Sequence, residues 1–429
     1  GWYTLEIRLR QGYLSVLDLG GLYVGAIFVY SVIPLLGFLL LGENADLLDN
    51  RLLVLNPELS AIAKFAWRYP FFLGVFTCFY LFFRTFKQDE MEVSKPPQQR
   101  VMLVAAVWAA GAVYQQALYL IFGVKGESGY DNITEVYQQL QSLPSLVQQL
   151  TNVVNGLVLM SRLYLLTALF ANHKSWTARI ILLLWIGGEF ALNVITFASR
   201  TPLFLLLLSS LGLFTKTVRR LSVVALLTLG LVSLSGFLLW GLLRATPSGD
   251  AQGQDELAVV SALRNRNEFQ ACFTTAYDIY AMRQQGGLSI PMSLHFADLL
   301  RILPQQIVPF KVDPAEWYLE QKGVTGTGQG YGYGLISESV VGLGYFHLFC
   351  LGLALAYTFA RIHNSYLDHA REPLAVSIYL WFCIKAYTFF RMTSFSFLGY
   401  FFYGVLPFIL LLRWSEEPAP QTATDQADP

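Results

Sequence analysis

The residues best suited to chemistry in this chain are cationic and widely spaced. Arg200 stands in Ser199-Arg200-Thr201-Pro202, and Arg391 in Phe390-Arg391-Met392-Thr393-Ser394. Each falls in a very short turn between two apolar runs, where a turn can be polar without being charged. Arg264, Arg266, Arg283 and Arg301 lie in the long polar segment between those turns. Arginine presents a planar fork of donors that fits phosphate oxygens. A lone arginine at a helix end is more simply read as snorkelling toward headgroups. Two of them, with more in one long segment and a glycine-rich helix start nearby, favour a shared anion site.

That helix start is residues 323–344. Glycines recur through it, including Gly328, Gly330, Gly332 and Gly334, and it then turns apolar at Leu335. Glycine lets backbone approach a ligand closely. A helix start offers unpaired N–H groups and the positive end of its dipole, together a cradle for phosphate. The plainer reading is a mobile linker ahead of a membrane span. Glu338 follows about one turn into the expected helix. A carboxylate there is costly unless it works or is paired. It is a candidate general base, or the partner that holds an arginine. His295 is the other candidate base, with ordinary loop residue as its plain alternative. His173, His363 and His369 belong to expected cytoplasmic loops and read as solvated. Tyr331 and Tyr333 flank the glycines, where aromatic faces suit sugar rings but equally suit a membrane interface. Lys385 lies inside an apolar run, to extend the anion site or to pair with a carboxylate. Arg162 and Glu189 fall at similar depth in adjacent runs and are expected to pair.

These residues are carried on a chain of 429 residues that is 55% apolar and only 14% charged, with zero formal net charge. Zero charge implies no polyanion partner, so no nucleic acid is expected. Apolar runs of about 20 residues recur, the signature of transmembrane helices. The fold class is therefore all-α, a polytopic integral membrane bundle. About ten spans are expected, near 19–42, 65–85, 101–123, 147–171, 179–199, 202–215, 221–243, 334–360, 373–390 and 395–413. The organisation follows: 1–243 as an N-terminal transmembrane bundle, 244–333 as a large periplasmic loop subdomain, 334–413 as C-terminal transmembrane helices and 414–429 as a disordered cytoplasmic tail. Lys and Arg in the short loops set orientation. Arg84, Lys87, Lys174, Arg179, Lys216 and Arg371 fall on one expected side, the cytoplasm. The four cysteines form no CxxC, so neither a metal site nor a disulfide framework is suggested. The chain opens on Gly1 without a cleavable signal pattern, and an earlier span could precede it.

In this order the features resemble the bacterial O-antigen and exopolysaccharide repeat-unit polymerases of the Wzy type. The resemblance runs from about residue 100 to residue 413. It rests on Ser199-Arg200-Thr201-Pro202, on Arg264 and Arg301-Ile302-Leu303-Pro304, on Gly328 to Gly334 leading to Ile336-Ser337-Glu338, on Val341-Gly342-Leu343-Gly344, and on Phe390 to Phe395. It implies a metal-independent, cofactor-free glycosyltransferase at the periplasmic face of the inner membrane. Its donor and acceptor would be oligosaccharides on undecaprenyl pyrophosphate, with a chain-length regulator protein as a further partner. Arg200, Arg264, Arg266, Arg301 and Arg391 would bind the pyrophosphate, with Gly330, Gly332, Tyr331 and Tyr333 beside them, and Glu338 or His295 would take the acceptor's proton. An O-antigen ligase and a lipid-linked-sugar transporter are the alternatives.

Overall fold

The computed structural model describes residues 2–11, 15–41, 59–87, 92–121, 145–195, 200–222, 268–286, 288–303, 307–323 and 332–414, and part of 224–235. All regular structure among them is helical, as expected. In an apolar solvent a helix satisfies its own backbone groups, so apolar runs of this length have little alternative. In chain order the helices are α1 (Trp2–Gln11), α2 (Leu19–Leu41), α3 (Leu59–Ala66), α4 (Arg68–Phe83), α5 (Gln98–Ile121), α6 (Ser145–Ala171), α7 (Trp176–Ile195) and α8 (Arg200–Thr217). They continue with α9 (Glu268–Gln284), α10 (Ala297–Ile302), α11 (Pro314–Gln321), α12 (Gly334–Val341), α13 (Tyr345–Asp368), α14 (Pro373–Arg391), α15 (Phe397–Tyr400) and α16 (Leu406–Trp414). Six helical stretches among the described residues are long and apolar enough to cross a membrane: 19–36, 60–83, 98–118, 147–171, 345–368 and 397–414. Three of the expected spans correspond to shorter apolar helices, Trp176–Gly188, Leu205–Thr217 and Pro373–Ala386. The expected span at 221–243 lies mostly outside the described residues.

One expected span is divided. The run drawn at 334–360 is two helices, α12 and α13, because the chain breaks at Gly342-Leu343-Gly344. Gly344 has φ +63°, a left-handed conformation that only glycine adopts without strain. Glu338 therefore belongs to a short, separate helix ahead of the span.

The core is aromatic. Tyr23 of α2 packs on Phe76 and Phe359 at centroid distances of 4.8 and 5.0 Å, and Phe390 of α14 lies 5.6 Å from Tyr30. Edge and tilted pairs of this kind add to plain burial. Gly156 of α6 meets Gly404, in a π-helical turn at Phe401–Val405, backbone to backbone. A Cβ on Gly156 would overlap the Gly404 Cα, so this crossing depends on small residues. The expected loop subdomain is more integrated than its polar sequence suggests. Phe273 and Tyr277 of α9 are buried against Phe65, each 5.4 Å away, and Phe273 stacks on Tyr69. Helix α9 thus shares the core of the bundle.

Contacts also sort the turns between ends. Ser94 N–H donates to the Arg371 carbonyl at 2.8 Å, and Thr85 N–H to Asn364 Oδ1 at 2.8 Å. Ser377 donates to Thr167 at 3.1 Å, and Lys216 Nζ sits 5.3 Å from the Tyr366 ring. The turns at 84–87, 92–97, 172–175, 216–222 and 369–372 therefore share one end, and they hold Arg84, Lys87, Lys174, Lys216 and Arg371 of the residues used for orientation, with Arg179 in the first turn of α7 beside them. At this end Asp18 accepts from Arg84 Nη1 at 2.6 Å, from Tyr3 at 2.9 Å and from Tyr80 at 3.3 Å. His363, expected to be solvated, is instead buried in α13, with Nδ1 2.6 Å from the Tyr379 hydroxyl. One helical face of α13 is packed inward even near its end, and His363 lies on that face.

Candidate functional site

The opposite end of the bundle brings three sequence-distant segments onto one turn. Helix α14 ends at Arg391, and the chain turns through Met392 to Phe395 before α15. Two carboxylates grip that turn. Asp298, in the first turn of α10, accepts from the Thr393 hydroxyl and, at 2.7 Å, from the Phe395 N–H. Glu338, in α12, accepts through Oε2 from the Ser394 N–H at 2.9 Å and from the Ser394 hydroxyl. A carboxylate accepting two donors at once is a strong, charge-assisted clamp. Ile302 at the end of α10 adds a further tie, its carbonyl accepting from the Tyr403 hydroxyl at 2.7 Å. The turn after Arg391 is thus fixed by residues about 56 and 97 positions away in sequence.

Helix α12 is placed by burial on nearly every side. Leu335, Ile336, Ser337, Ser339, Val340 and Val341 are all buried. Its end is capped from α9: Arg283 donates to the Val340 and Gly342 carbonyls, the latter at 2.8 Å. A cation on the last carbonyls complements the helix dipole. Of the glycine-rich cradle expected at its start, residues 324–331 lie outside the described residues, and the described part is closely packed. Gly332 is buried against Cys272, and a Cβ there would overlap the sulfur. Gly334, with φ +72°, places its bare Cα beside the Phe390 and Arg391 carbonyls. Tyr333 is buried edge-on to Trp317, with centroids 6.3 Å apart. Gly332 and Tyr333 thus serve close packing between α9, α12 and α14. The reason is tertiary: a bare backbone admits a neighbouring helix as readily as a phosphate.

Of the other expected site residues, Arg200 begins α8 and Arg301 lies in α10, but their side chains are outside the described residues. So are Arg264, Arg266, Gly330 and Tyr331, and the side chain of Glu189 expected to pair with Arg162. Arg391 is half-buried at the end of α14. His295 is exposed in the short 3-10 turn Met292–Phe296 just before α10. Lys385 lies with Nζ 5.1 Å from the Tyr400 ring, and among the described residues it pairs with no carboxylate.

Four residues at this end carry more than the sequence suggested. Asp298 is a carboxylate within the apolar Phe296-Ala297-Asp298-Leu299-Leu300, which is itself a signal. Ser394 gave none. His347 lies with Nε2 3.5 Å from Glu338 Oε1. Arg68, at the start of α4, has its guanidinium over the rings of Tyr280, Tyr345 and Phe65 at 4.6, 5.0 and 5.3 Å.

Fold and site together define an α-helical membrane protein with a carboxylate-clamped turn at the end of the bundle opposite its basic turns. Comparison with family models, with curated proteins and with solved structures finds no match.

Proposed function

We propose that the chain is a membrane glycosyltransferase that joins oligosaccharide repeat units carried on undecaprenyl pyrophosphate. The observation that supports this reading best is the double clamp on the turn after Arg391. Three of the segments that carry the sequence resemblance, around Arg301, Glu338 and Arg391, meet there through Asp298, Glu338 and Thr393 to Phe395. In this reading the basic turns face the cytoplasm, so the clamped turn faces the periplasm across about ten spans of the inner membrane. Arg391, with Arg200, Arg301, Arg264 and Arg266, takes the negative charge that develops on the leaving pyrophosphate. The acceptor sugar loses a proton to a base at the same end.

Orientation is tested by labelling. Cys272 is buried and is a poor reporter, whereas Met292 is 75% exposed. Met292→Cys is expected to react with an impermeant thiol reagent from the periplasmic side. Reaction from the cytoplasmic side alone overturns the orientation and the function with it.

The chemistry is tested by the glycan profile of a deletion strain. Single repeat units on the final lipid are expected. Polymer stranded on its carrier would indicate a ligase instead. In the complemented strain Arg391→Lys is expected to lose chain extension nearly as fully as Arg391→Ala, because an ammonium cannot reproduce a bidentate fork. Wild-type chain length with Arg391→Ala would remove this residue from the anion site.

A further inference from the structure

We propose that Glu338 and His347 act as one proton-accepting unit, with Glu338 meeting the acceptor hydroxyl and His347 holding the proton behind it. This rests on the glycosyltransferase reading. The two oxygens of Glu338 are in different situations. Oε2 is committed to two donors from Ser394. Oε1 faces the His347 ring, 3.5 Å from Nε2. That nitrogen is buried and has no hydrogen-bond partner. The separation is too long for a closed hydrogen bond, so Oε1 and Nε2 both keep capacity to bind a proton. Neither side chain is sealed, with 24% of His347 and 19% of Glu338 exposed, so a substrate can reach the pair.

The fold builds this juxtaposition. Glu338 is on α12 and His347 in the first turn of α13, and the helices are separated only by Gly342-Leu343-Gly344. The left-handed Gly344 swings α13 so that its first turn lies over the end of α12. Gly342 makes room for the ring, since a Cβ there would stand 2.5 Å from His347 Nδ1. Arg283 fixes the same break by binding the Val340 and Gly342 carbonyls.

In the step so assigned, the acceptor oxygen forms a bond to the donor's anomeric carbon as its proton passes to Glu338 Oε1. The bond from that carbon to the pyrophosphate oxygen breaks, and lipid pyrophosphate leaves with the electron pair. Glu338 passes the proton to His347 Nε2, and the ring gives up a proton to water from Nδ1, because Nε2 itself is buried. An imidazole behind a carboxylate relieves it of the proton before the next turnover, and neighbouring acid–base groups commonly work as such pairs. His347 is a positioning and proton-holding residue that acts through Glu338.

The experiment uses the full chain in nanodiscs with a synthetic polyprenyl-pyrophosphate-linked repeat unit. Glu338→Gln and His347→Gln are each expected to lower turnover by about 100-fold or more, with donor binding within about 2-fold of wild type. The double variant is expected to be no worse than the poorer single one, because members of a unit are not additive. Gly342→Ala, which must displace the ring, should lose turnover in part while folding normally. Full turnover in His347→Gln, or losses that multiply in the double variant, overturns the pairing. A readout independent of activity is the ¹⁵N spectrum of labelled His347. The ring is expected to change its Nδ1/Nε2 protonation pattern in Glu338→Gln, and an unchanged spectrum also overturns the pairing. If wild type extends no lipid-linked oligosaccharide, the glycosyltransferase reading falls and takes the proposed proton transfer with it. The spectrum then reports on the contact alone.

Discussion

Asp298→Ala is expected to unfasten the turn after Arg391 and to destroy activity with only moderate loss of fold. The carboxylate is nearly buried and accepts from the Thr393 hydroxyl and the Phe395 N–H. Removing it leaves two donors in a buried turn without their acceptor, at about 1–3 kcal/mol each. Part of that cost is recovered if the turn moves toward water, which also moves Arg391. A 1 Å displacement of a charge-stabilising group is enough to cost about 100-fold in rate. Asp298→Asn should be intermediate, because its one carbonyl oxygen can serve one donor well while its amide N–H₂ faces the other. Thermal unfolding in detergent and chain-length profiles, measured together, check this. Wild-type values of both for Asp298→Ala would show the clamp to be dispensable.

The second large effect is expected at the other end of the bundle. Arg84 and Asp18 are both buried, their charges 2.6 Å apart, with the Tyr3 and Tyr80 hydroxyls completing the shell. Arg84→Ala strands the Asp18 carboxylate in an aromatic interior. Breaking such a pair from one side costs about 3–5 kcal/mol, so membrane abundance should collapse. Replacing both members with apolar residues, as in Asp18→Leu with Arg84→Met, should recover most of the loss. A double variant as unstable as Arg84→Ala would mean that the hydrogen bonds matter more than the charge balance.

The pair also predicts a direction with pH. Burial, the largest single influence, pushes the Asp18 carboxyl up, but the Arg84 charge, His363 and the hydrogen bonds from Arg84 and the Gly21 N–H together outweigh it and hold the group below its ordinary value. A carboxyl lowered in the folded state stabilises the protein above its unfolded pKa of about 4 and loses that contribution as pH falls further. Detergent-solubilised wild type should therefore lose stability on acidification below that point. Asp18→Asn should show a weaker acid dependence from a lower starting stability. An identical acid dependence in the two proteins would place the linkage elsewhere.

The break at Gly342 to Gly344 shows the limit of reading spans from hydropathy. Residues 334–360 are apolar enough to be drawn as one helix, and glycine alone does not stop a helix in a membrane. What stops it is the conformation of Gly344 and the capping of the last α12 carbonyls by Arg283, a residue 57 and 59 positions upstream of the two carbonyls it binds. The glycines from Gly332 to Gly334 show the same limit from the other side. Their bare backbone fits a phosphate cradle or a helix crossing, and only the positions of Cys272 and Phe390 decide for the crossing.

The sequence by itself determined that the chain is helical and membrane-embedded, because long apolar runs can satisfy their backbone in lipid only that way. It also determined which turns are basic, since charge in a short turn needs no tertiary partner to be recognised. It marked Glu338 as a residue needing an explanation. Only the tertiary structure decided what that explanation is, because a carboxylate's role depends on the donors that face it. Ser394 on one oxygen and His347 near the other come from segments that no local pattern connects to Glu338. Asp298 was a lone charge in an apolar stretch until the fold set the turn after Arg391 against it.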